Sequence, residues 1–116
     1  MRFKLILVFT KDDLVDAVLR AAREAGATGA TVITSARGEG LKAEKTFFGL
    51  DLTQQRDVVL LVVEEHLCRS ILEAIEKAAR LDAEPGSGIA LQIAIEDAVG
   101  LTSQIRALSK KVEGEL

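Results

Sequence analysis

From Phe3 to Phe9 the chain reads FKLILVF, with Lys4 the one polar position and Phe3, Leu5, Leu7 and Phe9 alternating with Lys4, Ile6 and Val8. Aliphatic and aromatic residues at period two predict a strand over about residues 2–9. Thr10 and Asp13 then form a Thr-x-x-acid cap. Leu14, Val15, Val18, Leu19, Ala22 and Ala25 recur at helical spacing until Gly26, which predicts an amphipathic helix. Ala30–Thr34, ATVIT, predicts a short second strand. Val58–Val63, VVLLVV, is apolar at every position, as in a strand buried in the middle of a sheet. Leu67, Ile71, Leu72, Ile75, Ala78 and Ala79 place one apolar face on a second helix over about residues 66–81. Ile89, Leu91, Ile93 and Ile95 alternate as a fourth strand. Leu101, Ile105, Leu108 and Val112 make a last helical stripe behind Thr102 as its cap, placed to cover a sheet edge or to pack on another subunit.

Strand, helix, strand, then strand, helix, strand is the order of an α+β, ferredoxin-like βαββαβ domain with a C-terminal helix. It spans residues 1–116 as a single domain. Both helices are expected on one face of a four-stranded antiparallel sheet. The face bearing Lys4, Ile6, Val8, Ala90, Gln92 and Ala94 is then the bare one, and being small or apolar it is expected to be buried against a neighbour.

Between the second and third strands lies SARGEGLKAEKTFFGLDLTQQRD, Ser35–Asp57, with three glycines, eight charges and adjacent phenylalanines. A connection of about 20 residues is unusual in a compact domain and is normally functional or disordered.

Composition narrows the function. Fifteen Lys and Arg against 18 Asp and Glu give a net charge of −3, so no global field draws the protein to nucleic acid or anionic lipid. The single cysteine, Cys68, cannot form an internal disulfide, and with one histidine there is no four-ligand Cys/His zinc set. The apolar N-terminal run reads as a strand and not as a leader, and no stretch is long enough to span a membrane. A cytoplasmic location is expected. Ferredoxin-like sheets also serve as RNA platforms, but the strands lack paired exposed aromatics on which bases stack, so no nucleic-acid partner is expected. No Ser/His/Asp set, paired-carboxylate site or P-loop is present, and an enzyme is not expected.

Two segments resemble a known family. EAGATGATVITSARGEG, with Gly26, Thr28, Gly29, Thr31, Gly38 and Gly40, is similar to the Gly-x-Thr-Gly-x-Thr turn, second strand and Gly-x-Gly of the PII signalling proteins, in which that Gly-x-Gly opens the T-loop. EPGSGIALQIAIEDAV, with Gly86-Ser87-Gly88, resembles the family's Gly-Asp-Gly B-loop, fourth strand and start of the C-loop. The resemblance implies a homotrimer that binds an effector, ADP or ATP in the family, in clefts between subunits. It places Gly29, Ala30, Thr31, Gly38 and Gly40 on one side of the effector and Gly86, Ser87, Gly88 and Ile89 on the other. It makes residues of about 36–57 a T-loop that docks a protein partner, such as a membrane transporter; within that segment the aromatic pair Phe47 and Phe48 and the lysines Lys42 and Lys45 are the candidate contacts.

The chain departs from the family pattern at the phosphates. The lysine that follows the B-loop is Ile89 here, and the two C-loop arginines are Gly100 and Thr102. Charge-assisted bonds are worth about 1.5–3 kcal/mol each, so weak nucleotide binding with little preference for the triphosphate is expected. The glutamine that senses 2-oxoglutarate aligns with Lys42, and the absence of tyrosine removes the uridylylation switch.

Each feature also has a plainer reading. Gly86-Ser87-Gly88 is a phosphate cradle or a turn before a strand. Phe47 and Phe48 are a docking patch or a small satellite cluster, and Lys42 and Lys45 are phosphate or partner contacts in place of the missing cations, or a solvated loop. Cys68 sits near a helix start, where the helix dipole is expected to lower its pKa. Glu64, Glu65 and His66 are a surface metal site or caps. The rival to a nucleotide-binding regulator is an oligomeric binding module of the same fold that senses a non-nucleotide ligand or a metal, or a ligand-free scaffold.

Overall fold

The computed structural model describes residues 1–36, 46–47, 50–51, 56–102 and 105–106. Four strands form the main sheet: β1 (Phe3–Lys11), β2 (Thr31–Ala36), β5 (Arg56–Glu64) and β6 (Gly88–Ala94). Two-residue strands β3 (Thr46–Phe47) and β4 (Leu50–Asp51) pair with each other inside the insertion. The main sheet has the order β2-β5-β1-β6, antiparallel at every junction. Helices α1 (Val15–Glu24) and α2 (Glu65–Ala79) are the crossovers of two βαβ halves. This is the expected ferredoxin-like, α+β architecture.

The apolar run of β5 earns its central place by packing between β2 and β1. α2 is opened by Glu64, whose Oε2 accepts the His66 amide at 2.8 Å, and closed by Arg80 in the left-handed region, φ 53°. α1 starts differently from the sequence reading. Thr10 is no helix cap but the eighth residue of β1, fully buried, and its hydroxyl donates to the Ser87 carbonyl at 2.9 Å. With that side chain buried in the strand and turned across the sheet, the chain enters α1 through a 3-10 turn at Asp12–Leu14, with no side-chain cap.

The two faces of the sheet are the reverse of the sequence expectation. Ile6, Val8, Val59, Leu61 and Val63 lie under the helices and join Val15, Val18, Ala22, Cys68, Ile71, Ile75 and Ala79 in the core. Ala90 packs against that core, and Gln92 accepts a hydrogen bond from the Cys68 thiol at 3.2 Å. The bare face carries the other parity. Rows Ile33–Val58–Phe9–Ile89 and Leu60–Leu7–Leu91, with Val62–Leu5–Ile93, run across the strands in register. Ile93 is 47% exposed, Ile33 49% and Leu91 36%. Among the described residues an apolar face is therefore left partly exposed, but it is the face opposite to the expected one, and larger side chains line it.

The C-terminal helix is present where described: Thr102, Ile105 and Arg106 are helical, and the Ile105 amide donates to Leu101 at 2.9 Å. Leu108 and Val112 lie outside the described residues.

Candidate functional site

The loop from Arg80 to Gly88 is built by buried hydrogen bonds more than by its glycines. The Glu84 amide donates to Arg80 at 2.9 Å, and the Ser87 amide to Glu84 at 3.2 Å. The Ser87 hydroxyl lies 2.8 Å from the Glu84 carbonyl and 3.1 Å from that of Arg80. One hydroxyl has one proton, so the two carbonyls share it. Ser87 is buried and its donors are used inside the loop. Its neighbours supply the outward surface: Gly86, with φ +79°, Gly88 and Ile89 are half-buried. At Gly88 a Cβ would stand 2.3 Å from the Phe9 carbonyl oxygen, so only glycine lets β6 begin this close to β1.

Gly88 and Ile89 open onto a cleft of about 420 Å³ between α2 and the β6 edge, also lined by Arg69, Glu73, Glu76, Lys77 and Asp82. Sequence reasoning sought replacement cations in the insertion and missed Arg69 and Lys77. They stand on the same helical face as Leu72 and Glu76, a spacing that could have flagged them. They bring no net positive charge. Arg69 is paired with Glu73 at 3.0 Å, and the three acids lining the cleft outnumber the two cations.

Gly29 and Ala30, with exposed Thr31 at the start of β2, lie at the opposite edge of the sheet, where Gly29 and Ala30 line a groove of about 160 Å³ beside α1. β5 and β1 separate the two edges, a span of three strand spacings or about 14 Å. One chain therefore does not bring Gly29–Thr31 to Gly86–Ile89. Gly100 and Thr102 line a third groove, of about 750 Å³, with Phe3 and Ile95. That groove is at the far end of β6 from Ile89, about 20 Å away along the strand. Gly38, Gly40, Lys42, Lys45 and Phe48 lie outside the described residues. Phe47 is in β3, opposite Leu50, and its side chain is likewise outside them.

Cys68 differs from the sequence expectation. It is buried in the core, and burial pushes its thiol pKa up despite the pull of Lys4 in the other direction. The Glu64, Glu65 and His66 ligand atoms lie within 4.8 Å of one another. Both oxygens of Glu64 are in use, however, one on the His66 amide and the other 2.5 Å from His66 Nδ1. The hydrogen bond to Glu64, and then its charge, raise the His66 pKa above its usual value, which favours a proton at that nitrogen.

Among the described residues no helix is long and apolar enough to cross a membrane. In sequence, residues 3–104 match the nitrogen regulatory protein P-II family. No curated protein matches the chain. In structure the chain is similar to CPII from Thiomonas intermedia K12, a protein seen bound to ADP, AMP and acetate. The identity is 18%, with 82% of this chain and 89% of that one covered and a TM-score of 0.61. A likeness at that identity is one of fold.

Proposed function

Because the chain belongs to the nitrogen regulatory protein P-II family, we propose that it is a homotrimeric regulator that binds an adenine nucleotide, ADP or ATP, and acts on a protein partner through the insertion at 36–57. The observation that carries this reading is the apolar sheet face left partly exposed among the described residues. Leu5, Leu7, Leu91 and Ile93 are aligned in register on it, and a face of this kind needs another copy to leave water. Assembly also removes the 14 Å problem, since the Gly29–Thr31 edge of one copy can approach the Gly86–Ile89 edge of the next. The effector then lies in a cleft to which each subunit gives one half.

The loop at 80–88 favours recognition of the base and ribose over the phosphates. It presents glycine backbone and Ile89, with the Ser87 hydroxyl turned inward and a cleft wall richer in acids than in cations. The nucleotide bound by CPII is consistent with this class of ligand. Lys42, Lys45, Phe47 and Phe48 are the residues proposed to meet the partner, of which a membrane transporter is one type. Regulation, and not catalysis, is the proposed role.

Thermal denaturation with and without nucleotide tests the reading. ADP at about 100 times its dissociation constant stabilises by about 2.7 kcal/mol. A transition that does not move with millimolar ADP, AMP or ATP would rule out the nucleotide and leave the non-nucleotide binding module.

A further inference from the structure

One row of residues crosses the whole sheet at its loop-bearing end. Thr10 on β1 stands opposite Asp57 on β5 on one side and opposite Gly88 on β6 on the other. Ser35 of β2 joins the row at the mouth of the insertion, where the β2–β5 register breaks between Ile33 and Ala36. Two of these residues are buried polar groups, and each is tied to a loop on a neighbouring strand. The Thr10 hydroxyl, fully buried, donates to the Ser87 carbonyl at 2.9 Å. The Asp57 carboxylate, 7% exposed, accepts the Ser35 amide through Oδ1 at 3.2 Å.

Both ends of the row are conformationally demanding. Ser35 has φ +61°, a left-handed conformation that side-chain-bearing residues avoid unless their surroundings hold them there. The Asp57 carboxylate is what holds its amide. At the other end Gly88 lies so close to the Phe9 carbonyl that the loop cannot shift towards β1 without moving the end of that strand. A buried donor or acceptor that loses its partner cannot turn to water, so displacement at one end is passed on as geometry and not absorbed by solvent.

We propose that Thr10 and Asp57 are positioning residues that couple the loop at 80–88 to the mouth of the insertion within a single chain. The proposal rests on the effector reading given above and deepens it: an effector seated at Gly86–Ile89 acts on the Ser35 backbone through this row. Neither residue touches the effector. Their part is to keep the loop and the strand ends in one mechanical unit.

Site-resolved amide hydrogen exchange of the full chain without any ligand tests the coupling. Thr10→Val keeps the β-branched shape and removes the hydroxyl. It is expected to speed exchange of the Ser35 amide, two strands away, by about threefold or more relative to the α2 amides Ile71–Ile75. Asp57→Ala is expected to do the same to the Ser87 amide, and Asp57→Asn, which keeps a carbonyl acceptor, to restore most of the protection. Should Thr10→Val fail to fold, the Asp57 pair decides alone. Changes confined to each variant's own side, or no larger than those in α2, overturn the proposal. Because no nucleotide is present, failure here leaves the effector reading standing, and absence of nucleotide binding leaves the coupling result standing.

Discussion

Replacing Ile93 by Asp puts a charge on the edge strand β6 of the exposed apolar sheet face, and its consequence can be worked from the structure. Fully burying an isoleucine side chain is worth about 1.5–3 kcal/mol. Ile93 keeps 47% of its exposure in the isolated chain, so association removes about half of that value per copy. Three copies then lose about 2–4 kcal/mol of apolar burial. Three carboxylates must also leave water for a shared apolar core, at several kcal/mol each. The sum exceeds the roughly 8 kcal/mol that corresponds to micromolar association, so the variant should be monomeric at micromolar concentration. The fold should survive, because Ile93 lies outside the core formed with α1 and α2. Light scattering coupled to size exclusion, with circular dichroism on the same samples, reads both quantities. A folded Ile93→Asp trimer, or a wild-type monomer at the same concentration, would refute the assignment of this face to assembly.

Restoring a cation to the effector loop by Ile89→Lys should tighten ATP more than AMP, by about 10- to 100-fold, if one charge-assisted bond of about 1.5–3 kcal/mol is regained; titration calorimetry reports the change. Gly88→Ala should destabilise the chain by about 1–3 kcal/mol or more, since its methyl meets the Phe9 carbonyl, and urea unfolding measures it. The His66 ring should titrate above 6.5 by NMR, because its pKa is raised in the folded state by the hydrogen bond to Glu64 and then by that residue's charge. With the folded pKa raised, the contribution to stability is complete below the unfolded value and lost as pH rises through the folded value, so His66→Ala should flatten that part of the stability profile.

The order of elements was legible because its signals are local. The unbroken apolar run of β5 and the helical stripes of α1 and α2 each lie within one segment. Which face of β1 meets the helices was not legible, because both parities are apolar. Ile6 and Val8 are as hydrophobic as Leu5 and Leu7, and the partially charged parity, with Lys4, is the one that went inside. Thr10 reads equally as a cap or as a strand residue until its hydroxyl is seen to donate to the carbonyl of Ser87, 77 positions away. The family glycines mark the loop at 80–88, but Ser87 is a latch inside it, and the latch depends on carbonyls at Arg80 and Glu84 that carry no sequence identity. The helical spacing of Arg69 and Lys77 with Leu72 puts them on one face, but that this face borders the cleft at β6 depends on how α2 packs on the sheet.

A mixed-oligomer experiment tests the central claim, that the effector cleft is shared between copies. Gly29→Trp fills one half of the cleft, at a position where an added Cβ meets open space in its own subunit, and Ile89→Glu repels an anionic ligand at the other half. Each variant alone should form trimers that bind no ADP by calorimetry. Co-expressed in equal amounts, they assemble clefts with two intact halves at about one quarter of the interfaces of a cyclic trimer, and ADP stoichiometry should recover to about that fraction. A mixture that binds no more than either variant alone, or a single variant that keeps full stoichiometry, would contradict a site built from two subunits.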